Sequence, residues 1–247
     1  MNEETLWKTI QQEAVIESEN TPLLAPYLVK KVLKHETLGA ALASVLSVQL
    51  TTFDITFDSF YSLFLEIIEK YKIADAAAAD IFNITSSNST GPNALAVFLS
   101  FRGIQSIQLY RIAHQVWSEG NKVFAILLQN WGAQIYGVDI HPAALIGKRL
   151  FVDHAIGIVV GETAVIEDDV SIFHGVTLGS TLQKSGDRHP KIRRGAKLAA
   201  NATILGNIEI GEGAVIAAGS IVLHSIPAGA VAAGIPAKVI KQRIAND

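Results

Sequence analysis

Aliphatic residues stand at every sixth position through the second half of this chain: Ile140, Ile146, Val152, Ile158, a weak Ala164, then Val170 and Val176. After an interruption the spacing resumes through Ile192, Leu198, Ile204, Ile210, Ile216 and Val222, about thirteen hexads in all. A period of six fits neither an α-helix nor an alternating strand. It fits a triangular β-helix, in which each hexad makes one short strand and a corner and three hexads close a coil. Each aliphatic residue is then expected to point inward onto its counterpart 18 residues away, with Gly147, Gly211, Ala214 and Ala217 fitting the tight corners. From Val176 to Ile192 is 16 residues, one hexad plus ten, so a loop of about ten residues, 182–191, is expected to leave the prism. An extruded loop in a regular solenoid usually carries function.

The first half has a different grammar. Residues 1–136 hold 5 of the 19 glycines but 16 of the 18 aromatics, which sets a boundary near Tyr136. Apolar residues there recur at helical spacing, as in Leu38, Leu42, Val45, Leu46 and Val123, Ile126, Leu127, Trp131, Ile135, predicting six to eight helices. Ser86–Pro92 is a run of turn formers that breaks helix, and a long helix is expected to start near Pro92. The fold class is therefore α+β: a helical domain over 1–136, a β-helix over 137–237 and a tail over 238–247.

Composition narrows the chemistry. With 20 Lys+Arg against 23 Asp+Glu, the net charge of −3 disfavours nucleic acid as a partner. The absence of cysteine removes disulfides, thiolate metal sites and any acyl-cysteine intermediate. Mean hydropathy is +0.32, yet apolar runs such as Val123–Leu128 fall far short of the ~20 residues of a membrane span. The acidic start, Met-Asn-Glu-Glu-Thr, is unlike a secretion signal, so no membrane partner and a cytoplasmic location are expected.

Within the prism the polar residues that are not corner filler are Asp139, His141, Asp153, His154, His174, Asp187, Arg188 and His189. A neutral imidazole is the usual base for an alcohol proton, which suits His154, although Asp153-His154 also reads as a surface pair. Asp139 is a candidate to orient such a ring and equally a turn cap. Ideal stacking puts Asp139 beside Gly157, roughly 10 Å along the strand from His154, so the two do not meet in a regular coil. Asp187-Arg188-His189 leave the prism about one face away from His154. A neighbouring prism closes that gap, which makes a site between subunits of a homotrimer the economical hypothesis. Arg188 offers a two-pronged donor to a carboxylate, or else is a solvated loop charge. His141 and His224 read as structural and His174 is left open.

Val-Asp-Ile-His-Pro (138–142), the run Asp153–Ile166, Val-Thr-Leu-Gly (176–179) and Gly-Asp-Arg-His-Pro-Lys-Ile (186–192) closely resemble the serine O-acetyltransferases of cysteine biosynthesis. The likeness continues through Leu-Gly-Asn-Ile-Glu-Ile-Gly (205–211) and Ala-Ala-Gly-Ile-Pro-Ala (232–237), and more weakly at Lys-His-Glu-Thr-Leu-Gly (34–39) and Tyr-Arg-Ile (110–112). The resemblance implies a left-handed β-helix, an N-terminal oligomerisation domain pairing trimers into hexamers, and acetyl transfer from acetyl-CoA to the hydroxyl of L-serine. It makes His154 the general base and Asp139 its orienting partner, with Asp153, Arg188, His189 and the position of Asn88 holding the amino acid. It runs acetyl-CoA past Ser180, Thr181, Ala200 and Ala218, between adjacent prisms. Acetyl-CoA is then a co-substrate, with no resident cofactor and no metal.

Three departures from the family pattern bear on function. An aspartate that helps bind the serine ammonium aligns with Asn88, which exchanges a charge-assisted contact for a neutral one. The family's Gly-Gly-Thr-Gly-Lys is here Gly179-Ser180-Thr181-Leu182-Gln183-Lys184, which bears on acyl-donor preference. The sequence stops at Asp247, without the isoleucine-terminated tail by which relatives bind the sulfhydrylase, so a stable cysteine synthase complex is disfavoured. The competing assignments are an acyltransferase with another small hydroxylated amino acid or another acyl-CoA, a zinc enzyme on the same prism using His154, His174 and His189, and a non-catalytic scaffold.

Overall fold

Asx and threonine caps open the helical half. A computed structural model describes residues 2–87, 91–181 and 185–242. Among these, α1 (Glu3–Asn20), α2 (Ala25–Leu28), α3 (Leu38–Leu50), α4 (Phe57–Lys70), α5 (Ile73–Ser86), α6 (Ala94–Ser100), α7 (Arg102–Ser118) and α8 (Lys122–Tyr136) make an eight-helix bundle. The side chains of Asn2, Thr37, Thr56, Asn93 and Asn121 each accept an N–H of the first turn of a helix. Phe60, Phe64, Phe98, Leu42, Leu46 and Ile81 fill the bundle core. No described helix is long and apolar enough to cross a membrane.

The long helix expected near Pro92 is instead two. Asn93 caps α6, which ends after seven residues because Phe101 is extended (φ −80°, ψ 108°), and α7 restarts at Arg102. The break lays α7 on the prism: a Cβ on Gly103 would stand 2.4 Å from the Val152 carbonyl oxygen. The two halves are latched through Asp80, which is 1% exposed. It accepts from Arg111 Nη1 (2.6 Å), Gln108 Nε2 (3.1 Å) and the Leu150 N–H (3.0 Å), while Arg111 Nη2 donates to the Gly147 carbonyl (2.7 Å).

The second half is a three-sided parallel β-solenoid of about five turns. Its first face carries β1 (Val138–Ile140), β4 (Ile158–Val160), β7 (Thr177–Gly179), β10 (Thr203–Leu205) and β13 (Ile221–Val222). The second carries β2 (Leu145–Ile146), β5 (Val165–Ile166), β8 (Lys191–Ile192) and β11 (Glu209–Ile210). The third carries β3 (Phe151–Val152), β6 (Ser171–Ile172), β9 (Lys197–Leu198), β12 (Val215–Ile216), β14 (Ala230–Gly234) and β15 (Ala237–Gln242). Only β15 runs antiparallel, folding back on β14 and taking in the first residues of the segment expected as a tail.

Register corrects the expected phase. Ile140 pairs with Val160, 20 residues on, rather than with Ile158, and Val152 likewise pairs with Ile172. The next step on the first face, Val160 to Leu178, is 18. Two residues are therefore inserted between β3 and β4. The residues in register with Ile140, Ile146 and Val152 beyond them are Val160, Ile166, Ile172 and Leu178, whereas Ile158 is buried at the start of β4 and Ala164, Val170 and Val176 are buried beside the corners. Leu178 pairs with Ile204, 26 residues on, against 18 for Ile204 to Val222. The excess contributed by the loop is thus eight residues, not ten, and Lys191 already belongs to β8.

Candidate active site

The two-residue insertion falls on the turn Asp153–Gly157, where the third face hands over to the first. His154 (φ 57°) and Ala155 (φ 62°) are both left-handed there, a conformation that costs a non-glycine residue of order 1–3 kcal/mol and clusters at functional sites. The strained turn lifts the His154 imidazole out of the prism, leaving its side chain 73% exposed, 3.7 Å from Asp153 Oδ1. Beside it lies a cavity of about 370 Å³, walled by Ser100–Gly103 of the helical half and by Val152, Asp153 and Ile156. None of those helical residues stood out in the sequence.

Above this turn the same corner repeats coil by coil. The Gly175 N–H donates to the Ile156 carbonyl, Asn201 N–H to His174, and Gly219 N–H to Ala200, each at 2.9 Å. Ile156, His174, Ala200 and Ala218 therefore climb one edge of the prism in that order, about 4.8 Å per coil, with His154 two residues before Ile156 in the lowest turn. The rings of His154 and His174 meet edge to face, with centroids 6.0 Å apart.

A second cluster forms where the first face hands over to the second. His189, only 6% exposed, turns Nδ1 toward Thr163, accepting from its N–H (3.2 Å) and lying 2.9 Å from its Oγ1. With that amide donating to Nδ1, the neutral ring carries its proton on Nε2. Thr163 Oγ1 in turn accepts the N–H groups of Arg188 (3.0 Å) and His189 (3.1 Å). Burial, and then the Arg188 charge, hold His189 below the ordinary imidazole range. The ring has room because residue 161 is glycine: a Cβ there would stand 2.0 Å from Nε2. Arg188 donates Nη2 to Glu162 (2.6 Å) and Nη1 to the Gly186 carbonyl (3.1 Å), and this bond draws the Glu162 carboxyl below its usual range.

Nearby, His141 packs edge to face on Trp117 at 5.1 Å, and burial lowers its proton affinity. Asp139 accepts from Gln129 Nε2 of α8 at 2.6 Å and sits in register with Val159 rather than Gly157. Among the described residues no hydrogen bond joins Asp139 to His154. Thr181, at the root of the loop, lies against Gly206 at this second corner, and Ser180 precedes it. Asn88 lies outside the described residues.

The predicted residues thus divide. Asp153, His154, Ala200 and Ala218 share the corner entering the first face, while Ser180, Thr181, Arg188 and His189 share the corner leaving it. The three-residue strands between set these corners roughly 10 Å apart. His189 is therefore separated from His154 and His174, and no group of three or more His, Asp or Glu side chains suited to a metal ion occurs among the described residues. Gly161, Glu162, Thr163 and Gln129 were missed as site residues. The signal for the first three was a Gly-Glu-Thr run directly after an inward strand residue.

Residues 6–109 match the profile of the serine acetyltransferase N-terminal domain, and residues 189–224 that of the bacterial transferase hexapeptide (six repeats). A serine acetyltransferase of Salmonella typhimurium is 44% identical over 242 residues, covering 96% of this chain and 87% of that protein. Among solved structures, soybean serine acetyltransferase complexed with serine superposes with a TM-score of 0.93 at 40% identity, covering 96% of this chain and 98% of that one. Serine acetyltransferase of Brucella abortus in complex with coenzyme A gives 0.93 at 40% identity, covering 96% of each chain.

Proposed function

The chain belongs to the serine acetyltransferases, an acyltransferase family, and from that membership we propose that it moves the acetyl group of acetyl-CoA directly onto the hydroxyl of L-serine, giving O-acetylserine. The hydroxyl oxygen attacks the thioester carbonyl while His154 takes its proton. The tetrahedral intermediate, its oxyanion held by a backbone N–H, collapses with cleavage of the C–S bond, and the proton passes from His154 to the coenzyme A sulfur. No cysteine is available for a covalent detour. Relatives holding serine and coenzyme A support both substrates.

The observation that carries this reading is the strained turn that bares His154 beside a cavity, at the foot of the edge formed by Ala200 and Ala218. Acetyl-CoA lies along that edge, meeting Ser180 and Thr181 of an adjacent prism. Asp153 and the exposed corner of one chain face Arg188 and His189 of the next in a homotrimer, alone or paired into a hexamer. Arg188 turns its guanidinium from Glu162 toward the serine carboxylate, and Asp139 orients the base within the assembled site.

Thiol release from acetyl-CoA, compared for L-serine, homoserine and threonine with His154→Ala as control, tests the reading. Serine turnover abolished by His154→Ala is the expected result. Selective turnover of another acceptor would instead make Asn88 a specificity determinant, and turnover that survives the substitution would refute the general-base role.

A further inference from the structure

Taking His154 as the base, we propose that His174 is its positioning residue, a neighbouring imidazole whose ring holds the base in its working rotamer. His154 sits on a left-handed turn with its side chain 73% exposed. An imidazole so placed distributes over its rotamers unless something selects one. Asp153 Oδ1, at 3.7 Å, is beyond hydrogen-bond reach. Among the described residues of its own chain, the ring contact that remains is His174, edge to face at 6.0 Å with an interplanar angle of 78°; Asp139 acts on the base only within the assembled site.

His174 is itself rigidly set, as such a wall must be. Its backbone is what is fixed: the carbonyl accepts the Asn201 N–H at 2.9 Å and the following N–H, of Gly175, ties its coil to Ile156 of the His154 turn at 2.9 Å, while the ring is held by packing, its Nδ1 buried without a hydrogen-bond partner among the described residues. That turn tolerates no rearrangement by substitution at residue 175: φ is +69°, and a Cβ would meet Asn201 Oδ1 at 2.1 Å. His174 also stands one coil from His154 on the side of Ala200. It therefore bounds the base on the side from which the acyl donor arrives.

The experiment compares His174→Ala and His174→Phe with the unmodified enzyme and with His154→Ala, reading kcat, both KM values and Tm. Phenylalanine keeps the edge-to-face contact and removes the ring nitrogens. Loss of the contact is expected to lower kcat about 3–10-fold in His174→Ala, with both KM values within about twofold, and His174→Phe is expected to recover most of kcat. A purely structural role would shift Tm and both KM values together. Full kcat in His174→Ala, or His174→Phe as slow as the alanine variant, would overturn the positioning role while leaving His154 as the base. Retention of kcat in His154→Ala would overturn the general-base role and the positioning role with it.

Discussion

The variants His154→Ala and Arg188→Ala disable different corners of the prism, and chains carrying one or the other are expected to regain, when assembled together, turnover that neither shows alone. His154 stands at the corner entering the first face and Arg188 at the corner leaving it, separated by three-residue strands spanning roughly 10 Å. In a cyclic trimer each interface takes the entering corner from one chain and the leaving corner from the next. With His154 as the proposed base, its removal is expected to cost about 10²–10⁴-fold in rate. With Arg188 on the serine carboxylate as proposed, removing the guanidinium is expected to forfeit a charge-assisted bond of about 1.5–3 kcal/mol, about 10–150-fold in kcat/KM for serine. When equal amounts are unfolded and refolded together, half of the entering corners carry His154 and half of the leaving corners carry Arg188. About one interface in four is then intact, so the mixture recovers about a quarter of native activity. Thiol release with serine and acetyl-CoA, measured before and after joint refolding, gives the answer. A refolded mixture no more active than the average of its components would refute a site shared between chains.

Further outcomes follow from contacts inside the chain. Gly161→Ala drives a methyl group into the His189 ring and is expected to lower kcat/KM for serine by about tenfold or more, read by steady-state kinetics. Asp80→Ala leaves Arg111 buried without its carboxylate, a loss of about 3–5 kcal/mol measurable by urea unfolding. Burial depresses His189 below its ordinary value of 6.5 in the folded chain, so below that pH the unfolded chain binds a proton that the folded one refuses. The stability this residue contributes is present above that value and is lost as pH falls below it through the depressed folded value, and His189→Gln is expected to flatten part of the decline in Tm on the acid side of about pH 6.5. An unchanged slope in that variant would count against a neutral, buried His189.

The six-residue period was legible because every hexad buries an aliphatic residue at a fixed place in its strand. The same regularity hid the phase slip. Each hexad also buries a residue at or beside its corner, so Ile158, the first residue of β4, and Val176 carry on the count although Val160 and Leu178 are the residues in register with Ile140. That substitution of one buried row for the other produced the expected spacing of 18 for the first coil and two surplus residues in the loop. The weak Ala164 was the trace of it, since corner positions take small side chains. The shortness of α6 was not legible, because the chain turns at Phe101 just before α7 packs Gly103 against Val152, a residue far along the chain. Thr163 escaped notice for a similar reason: it reads as corner filler until the loop returns and sets the Arg188 and His189 amides on its hydroxyl.

The order of residues up the entering corner has a consequence for how the enzyme fails. A solenoid coil leans only on its neighbours, so unwinding proceeds rung by rung from an unbraced end. Here the first coil is clamped by Asp80 and Arg111 of the helical half, whereas among the described residues the far end is closed by the β14–β15 hairpin, with no helix packed on it. Fraying therefore reaches Ala218 before Ala200, and both before His154. With acetyl-CoA on the proposed edge and His154 as the proposed base, heat or pulling force is expected to strip away the track for the donor while the base is still in place, so affinity for acetyl-CoA is expected to fade before the turn at His154 is undone.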